Sequence, residues 1–220
     1  MPKLKNLLSI KPGESVLDLG CGQGIYARTL VRGVNYLGLD LGKSLIEEAK
    51  KLDHDQSHKY RVADVTRDIS VPTHSFDHVI SILALQNMEH AELAIANVAK
   101  ALKKGGDFVF VLNHPAFRIP RQSSWGIDEK NKLEYRRINR YLTPLSIPIS
   151  AHPGRSASPV TWSYHAPLSF YFDSLKKAGL VVTDLQEWVS DKESQGRAGK
   201  AENRARAEFP LFLAIRAVSA

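Results

Sequence analysis

Hydrophobic and polar positions change period along the chain in a repeating order. Val16–Leu19 is a short apolar run, and Ile25–Val31 follows it with apolar residues at helical spacing, stopping near Gly33. Asn35–Asp40 reads as a second strand, Ser44–Leu52 as a helix rich in Glu and Lys, and Lys59–Ala63 as a third strand ending at Asp64. Residues 66–75 read as a loop. Phe76–Ile82, carrying Phe76, Val79, Ile80 and Ile82, reads as the fourth strand, in the buried middle of a parallel sheet. Ala91–Leu102 has helical spacing and is followed by Lys103, Lys104 and Gly105, a basic turn before a glycine stop. Asp107–Leu112 is the fifth strand. Strands alternating with helices predict right-handed crossovers and a doubly wound α/β sheet.

The rhythm then breaks. Residues 113–168 hold seven of the eleven prolines and show a clear period only near Lys130–Tyr141. Regular spacing returns in Ser169–Ala178, a helix stopped by Gly179. Leu180–Val189 reads as a strand, 190–208 as a charged loop and Pro210–Ala217 as the last strand. A short helical turn over 4–10, broken by Pro12 and Gly13, precedes the first strand. Few residues stand ahead of that strand, so 113–168 is the segment long enough to cover a site. The expected organisation is one domain over 1–220, with 113–168 as a folded lid after strand five. A structureless loop of that length is rare in a compact domain.

Between the first strand and the first helical pattern lies VLDLGCGQG, Val16–Gly24. A carboxylate, Asp18, precedes Gly20, Gly22 and Gly24. Glycines belong where φ is positive or where a Cβ would strike a ligand, and a helix start offers free N–H groups. The dinucleotide pattern is G-x-G-x-x-G. Here the spacing is G-x-G-x-G, and Ile25 occupies the place of the third dinucleotide glycine. A carboxylate two residues before the turn suits a cationic ligand better than a pyrophosphate.

In open α/β sheets ligands bind beyond the carboxyl ends of the strands. Those ends carry Asp40 after strand two, able to accept two hydrogen bonds from a ribose diol, and Asp64 after strand three. This set resembles the first motifs of the class I S-adenosylmethionine (SAM) methyltransferases, in the branch of small stand-alone enzymes that includes the ubiquinone and menaquinone type. The resemblance covers residues 14–112. It implies a seven-stranded sheet, mostly parallel with an antiparallel last strand. It implies SAM as cofactor and S-adenosylhomocysteine as product. It places the cofactor on Asp18, Gly20, Cys21, Gly22, Gly24, Asp40, Leu41, Asp64, Val65, Ile82, Leu83 and Gln86. In it Asp40 takes the ribose, Asp64 and the Val65 N–H the adenine, and Ile82 and Leu83 flank the methionine end. Asp77 is usually structural in this family.

Composition narrows the rest. The net charge is +7. Residues 114–170 hold eight basic and three acidic residues, so most of the excess lies in the segment after strand five. That points to an anionic partner or a solvated face. The segment also carries Phe117, Trp125, Tyr135, Tyr141, Trp162 and Tyr164, with Phe170 beyond it, which predicts an aromatic pocket. His114 and His165 are the candidate bases, because an imidazole titrates near neutrality. Arg118, Arg121 and Arg155 are candidate anchors for a carboxylate or phosphate. After strand four the chain reads Ile82-Leu83-Ala84-Leu85, without the Asn/Asp-Pro-Pro-aromatic signature of base amino-methylases. Cys21, the single cysteine, sits in the glycine turn, so pyrimidine C5 chemistry lacks its nucleophile. The leading expectation is methyl transfer to oxygen or nitrogen of a small, anionic or aromatic acceptor. An RNA or protein methyltransferase using 114–170, and a SAM-binding protein without catalysis, are the alternatives. No apolar run reaches the roughly 18 residues of a membrane span, no metal cluster is expected, and the composition fits a cytoplasmic protein.

Overall fold

The computed structural model describes residues 2–150, 160–196 and 199–219. Helix α1 (Pro2–Leu7) leads to β1 (Ser15–Leu19), β2 (Asn35–Asp40), α2 (Lys43–Leu52), β3 (His58–Val62), β4 (Phe76–Ile82), α3 (Ala91–Ala101) and β5 (Leu102–Asn113). Two hairpins follow, β6 (Ser123–Asp128) with β7 (Leu133–Ile138) and β8 (Leu145–Ser150) with β9 (Val160–His165). Then come α4 (Leu168–Lys177), β10 (Leu180–Trp188), α5 (Gly199–Glu208) and β11 (Phe212–Ser219). Seven strands form one sheet in the order β10-β11-β5-β4-β1-β2-β3. Strand β11 runs antiparallel to both β10 and β5, and the other pairings are parallel. The expected sheet, antiparallel last strand included, is the one present.

Period-two alternation places the core on both faces. Along β5, Phe108, Phe110 and Leu112 pack with Ile95 and Val98 of α3 and with Tyr171 and Leu175 of α4. Val109 and Val111 point the other way, into the cluster that holds Leu4, Leu7, Tyr26 and Ile46. Both sets are fully or nearly fully buried.

Four local expectations are corrected. Ile25–Val31 is not a helix; only Ala27–Thr29 makes a 3-10 turn. Tyr26 and Ala27 are buried against the sheet while Ile25 and Val31 stay exposed, so the apolar face is too short to offset the nucleation cost of a helix. Helix α3 stops at Ala101, because Leu102 enters the sheet opposite Phe76. Gly105 then has φ +76° inside β5, where it serves an irregular register and not a helix cap. Residues 190–208 contain helix α5. It lacks an apolar stripe, but Asn203 bonds both backbone groups of Ser194, Arg206 pairs with Glu202, and Ala205 is buried. The 113–168 segment contains four strands. Pro148 sits in β8 opposite Trp162, in a two-stranded sheet where a missing N–H costs little.

A charged cluster ties the opposite end of the sheet. His78 on β4 reaches Asp107 at 2.6 Å and Glu14 at 3.0 Å, and Arg216 on β11 closes on Asp107 at 2.9 Å. Asp77 accepts from Ser15 N–H and binds Lys103, a structural role. Burial alone would lower the His78 pKa, but the two carboxylates outweigh it and hold it above the imidazole range. A raised folded-state pKa stabilises the protein fully below about pH 6.5, and that contribution fades as pH rises through the folded value. The melting temperature is therefore expected to fall as pH rises above neutrality. The fall should be shallower in His78→Gln, and parallel curves would remove His78 as the cause.

Candidate functional site

The glycine turn folds over the tip of β2. Gly20 and Cys21 N–H both donate to the Leu39 carbonyl, at 2.8 and 3.0 Å. The Asp40 carboxylate bridges the turn, accepting from Gly22 N–H on one oxygen and Gly42 N–H on the other, each at 2.8 Å. Gly20 has φ +78°, and a Cβ there would stand 2.4 Å from the Ala84 Cβ. Gly24 lies against Tyr60 in the same way, whereas Gly22, at φ +54°, opens onto free space. So Gly20 and Gly24 permit packing, and Gly22 alone faces outward.

Beneath the turn lies Asp18, 2 % exposed. Oδ2 accepts from the Tyr36 hydroxyl at 2.7 Å, and Oδ1 is buried with no partner. Burial pushes its pKa up to about 7; the Tyr36 bond pulls it back and the Asp40 charge adds to the rise. Asp18, which the resemblance places in the cofactor set, is a buried group under the turn. Burial also raises the Cys21 thiol far above neutrality, so Cys21 is a packing residue beside Gly38.

The strand tips around Gly22 are apolar and open. Leu41 is 70 % exposed, Ile25 57 % and Leu83 36 %. Three large apolar side chains thus stand exposed at the ends of neighbouring strands. Asp64 is engaged locally: Oδ1 accepts from both Thr66 N–H and its hydroxyl, and Oδ2 lies 3.3 Å from Arg67. Those Thr66 bonds, with Arg67, hold its pKa below the usual carboxylate range. Val65 is buried in the core. Leu83, at φ +55°, turns the chain out of β4, leaving Ile82 half-buried at its end. The Leu83 carbonyl accepts from Gln86 Nε2, and Gln86 Oε1 accepts from Asn113 N–H, so Gln86 ties the β4 exit to the β5 exit.

The two histidines differ in what remains free. His114 Nδ1 accepts from Ala116 N–H at 3.2 Å, so Nε2–H donates to Glu187 at 2.8 Å. Both ring nitrogens are engaged. His165 Nε2–H donates to the Tyr141 carbonyl at 2.7 Å. Its neutral ring therefore keeps a lone pair on Nδ1, for which no partner stands among the described residues. Burial lowers its pKa, partly offset by the Tyr141 bond, so the base form dominates at neutral pH.

His165 lies on the wall between two cavities. One, of about 200 Å³, is lined chiefly by Leu85, Met88, Leu145, Phe170 and Tyr171. The other, of about 20 Å³, lies at the β4 and β5 exits among Gln86, Asn113 and Arg118. Met88 lines the larger cavity and also packs near Gly20, with Ala84 against the same glycine. Trp125 is engaged, under Arg136 at 5.0 Å and against Phe209 at 5.5 Å. Arg121 donates to the Pro148 carbonyl, and Arg155 lies outside the described residues. Phe170 is one of the aromatics expected to form a pocket, whereas nothing in the sequence singles out Met88 and Tyr171. Their apolar spacing reads equally as core, and only the fold of the β8–β9 hairpin brings them together.

The seven-stranded sheet with antiparallel β11, and the glycine turn at its β1 tip, define the class I methyltransferase fold. A family profile described as "Methyltransferase domain" matches residues 17–110. A demethylmenaquinone methyltransferase of Tropheryma whipplei is 30 % identical over 112 residues, 50 % of this chain and 46 % of that protein. A ubiquinone biosynthesis O-methyltransferase of Vibrio cholerae is 33 % identical over 101 residues, covering 44 % and 41 %. The chain thus spans about half the length of the curated relatives it matches. A SAM-dependent methyltransferase structure from Mesorhizobium loti aligns with 99 % of this chain and 96 % of its own, at TM-score 0.77 and 28 % identity. One from Listeria monocytogenes, a putative SAM-dependent methyltransferase, aligns with 100 % and 97 %, at TM-score 0.78 and 27 % identity. The family profile, these relatives and the full-length structural matches together support a class I SAM-dependent methyltransferase.

Proposed function

We propose that the chain binds SAM across the tips of β1, β2 and β4 and transfers its methyl group to a hydroxyl or amine of a small molecule held beneath the β8–β9 hairpin. The observation that carries this is the Asp40 carboxylate, fixed by two backbone N–H groups beside the open face of Gly22. Each carboxylate oxygen keeps lone-pair capacity for a ribose hydroxyl. Leu41, Ile25 and Leu83 supply apolar surface for the adenosine. The unpartnered Asp18 Oδ1 leaves hydrogen-bond acceptor capacity below the turn. When bound, SAM supplies a methyl carbon on a sulfonium, a leaving group that needs no proton.

The protein's part is then positioning and proton removal. The hairpin and α4 hold the acceptor against the β4 exit and exclude water, the kind of constraint that removes most of the entropic barrier. His165 Nδ1 accepts the proton of an acceptor hydroxyl, and the Tyr141 carbonyl fixes the tautomer that leaves this nitrogen free. His114, bonded to Glu187, holds the start of the 113–168 segment against β10.

Asp40→Ala tests the cofactor half. It removes a ribose acceptor and frees two backbone N–H groups, interactions worth about 1.5–3 kcal/mol each when charged. S-adenosylhomocysteine affinity, measured by calorimetry, is expected to fall about 100-fold or more with little loss of helix and strand content. Wild-type affinity in this variant refutes the assignment.

A further inference from the structure

Arg118 stands on the turn after β5, where its N–H donates to the His114 carbonyl at 2.8 Å. That turn carries its side chain to the wall of the smaller cavity, facing Gln86, Asn113 and His165. The guanidinium lies over the Phe212 ring, 5.2 Å from the centroid. It is half-buried, and burial alone shifts it below the usual arginine range, with no carboxylate acting on it. Among the described residues no side chain or carbonyl accepts from its N–H groups.

The contrast with its neighbours is chemical. Arg136 donates to the Phe117 carbonyl and the Ser123 hydroxyl and stacks on Trp125. Arg136 also feels the Arg118 charge as repulsion. Glu187, reaching in from β10, is bonded to His114. Two guanidiniums therefore share this corner, and the one aimed at the cavity has its planar fork of donors unfilled. Such a fork matches a carboxylate.

We propose that Arg118 anchors an anionic group of the acceptor, and that the acceptor is a compact aromatic carboxylate. This rests on the acceptor site proposed above. Size argues for one ring. An apolar cavity of about 150 Å³ takes a benzene molecule, and the larger cavity here measures about 200 Å³ with Phe170 and Tyr171 in its wall. The smaller cavity has Arg118 in its lining, and a planar guanidinium fork matches a flat carboxylate in two parallel bonds. His165 and Tyr171 line both cavities, so a ring spanning them brings a hydroxyl substituent past His165.

The test compares meta- and para-hydroxybenzoate with the matching hydroxybenzamides, which keep shape and hydroxyl but lose the charge. Binding is titrated by calorimetry with and without S-adenosylhomocysteine. The acids are expected to bind at least about tenfold tighter than the amides, with a gap that narrows as salt rises. Arg118→Gln should abolish that gap, and Arg118→Lys should keep part of it. Equal binding of acid and amide by the wild-type protein overturns the proposal, whether or not the variants fold. So does a gap that survives Arg118→Gln. Affinity for S-adenosylhomocysteine in the same titrations reports separately on the cofactor site. A hydroxybenzoate that binds through Arg118 and is never methylated counts against the transfer reaction and not against the anchor.

Discussion

Changing His165 to Ala is expected to lower methyl-transfer turnover on a hydroxyl acceptor by roughly 10²–10⁴-fold, the range typical of a lost general base. The imidazole is buried, its Nε2–H is fixed by Tyr141, and the residue lines both cavities. Nothing it touches belongs to the β1–β2 tips, so affinity for S-adenosylhomocysteine should stay within about twofold, since sites without shared partners behave independently. The acid limb of the wild-type pH–rate profile should lie below the normal imidazole value, because burial disfavours the charged ring. Activity rises with pH through that limb as Nδ1 loses its proton. His114→Ala is the control. Its partners are Glu187 and the Ala116 N–H, so it should reduce thermal stability more than turnover. Full turnover in His165→Ala, or an acid limb that persists there, removes His165 as the base.

Gly20→Ala is expected to be among the most destabilising single-methyl changes in the chain. A Cβ at Gly20 would stand 2.4 Å from the Ala84 Cβ, with φ at +78°. Overpacking costs about 1–3 kcal/mol, and the left-handed backbone adds roughly 1–2 kcal/mol. Gly22→Ala makes the informative comparison. Its φ is +54° and a Cβ meets nothing within 4 Å, so only the backbone term of about 1–2 kcal/mol applies. Urea unfolding should rank Gly20→Ala well below Gly22→Ala. Cofactor binding should show the reverse emphasis, since the Gly22 methyl would project into the space beside the Asp40 carboxylate. Equal unfolding midpoints would mean that Ala84 yields and that the turn is looser than its contacts imply.

What was legible in the chain was whatever rests on period and on strand ends. Asn35–Asp40 and Phe76–Ile82 read correctly to the residue, because each is an apolar run closed by a polar or turning residue. The glycine turn and Asp40 were legible for the same reason: a strand end needs few neighbours to declare itself. Asp18 shows the limit. Its place before the turn was clear, but not that Tyr36, on the adjacent strand, would bond to it and bury it. The 113–168 segment shows another. Two-stranded hairpins tolerate proline and bury little, so of β6 to β9 only the stretch around β7, Lys130–Tyr141, shows a period clear enough to read. Pairing the hairpins to α4 and the β4 exit is a tertiary event, and it decides that His165 keeps a free nitrogen while His114 does not. Resemblance ends near the same boundary, since the matched domain stops at residue 110.

Strand β11 sits between β5 and β10, and Arg216 on it meets Asp107 across a separation of 109 residues. Everything between those partners, both hairpins included, is therefore a closed loop whose neck is β11. Its base is fastened where Asn113 pairs with Phe212 and His114 N–H meets the Leu211 carbonyl. On the ribosome, the β1–β5 part can assemble early, while this loop waits for the final strand to emerge. With the sites proposed above, a chain cut before β11 is expected to keep the Asp40-braced turn and to lose the fastening of the 113–168 segment at its base.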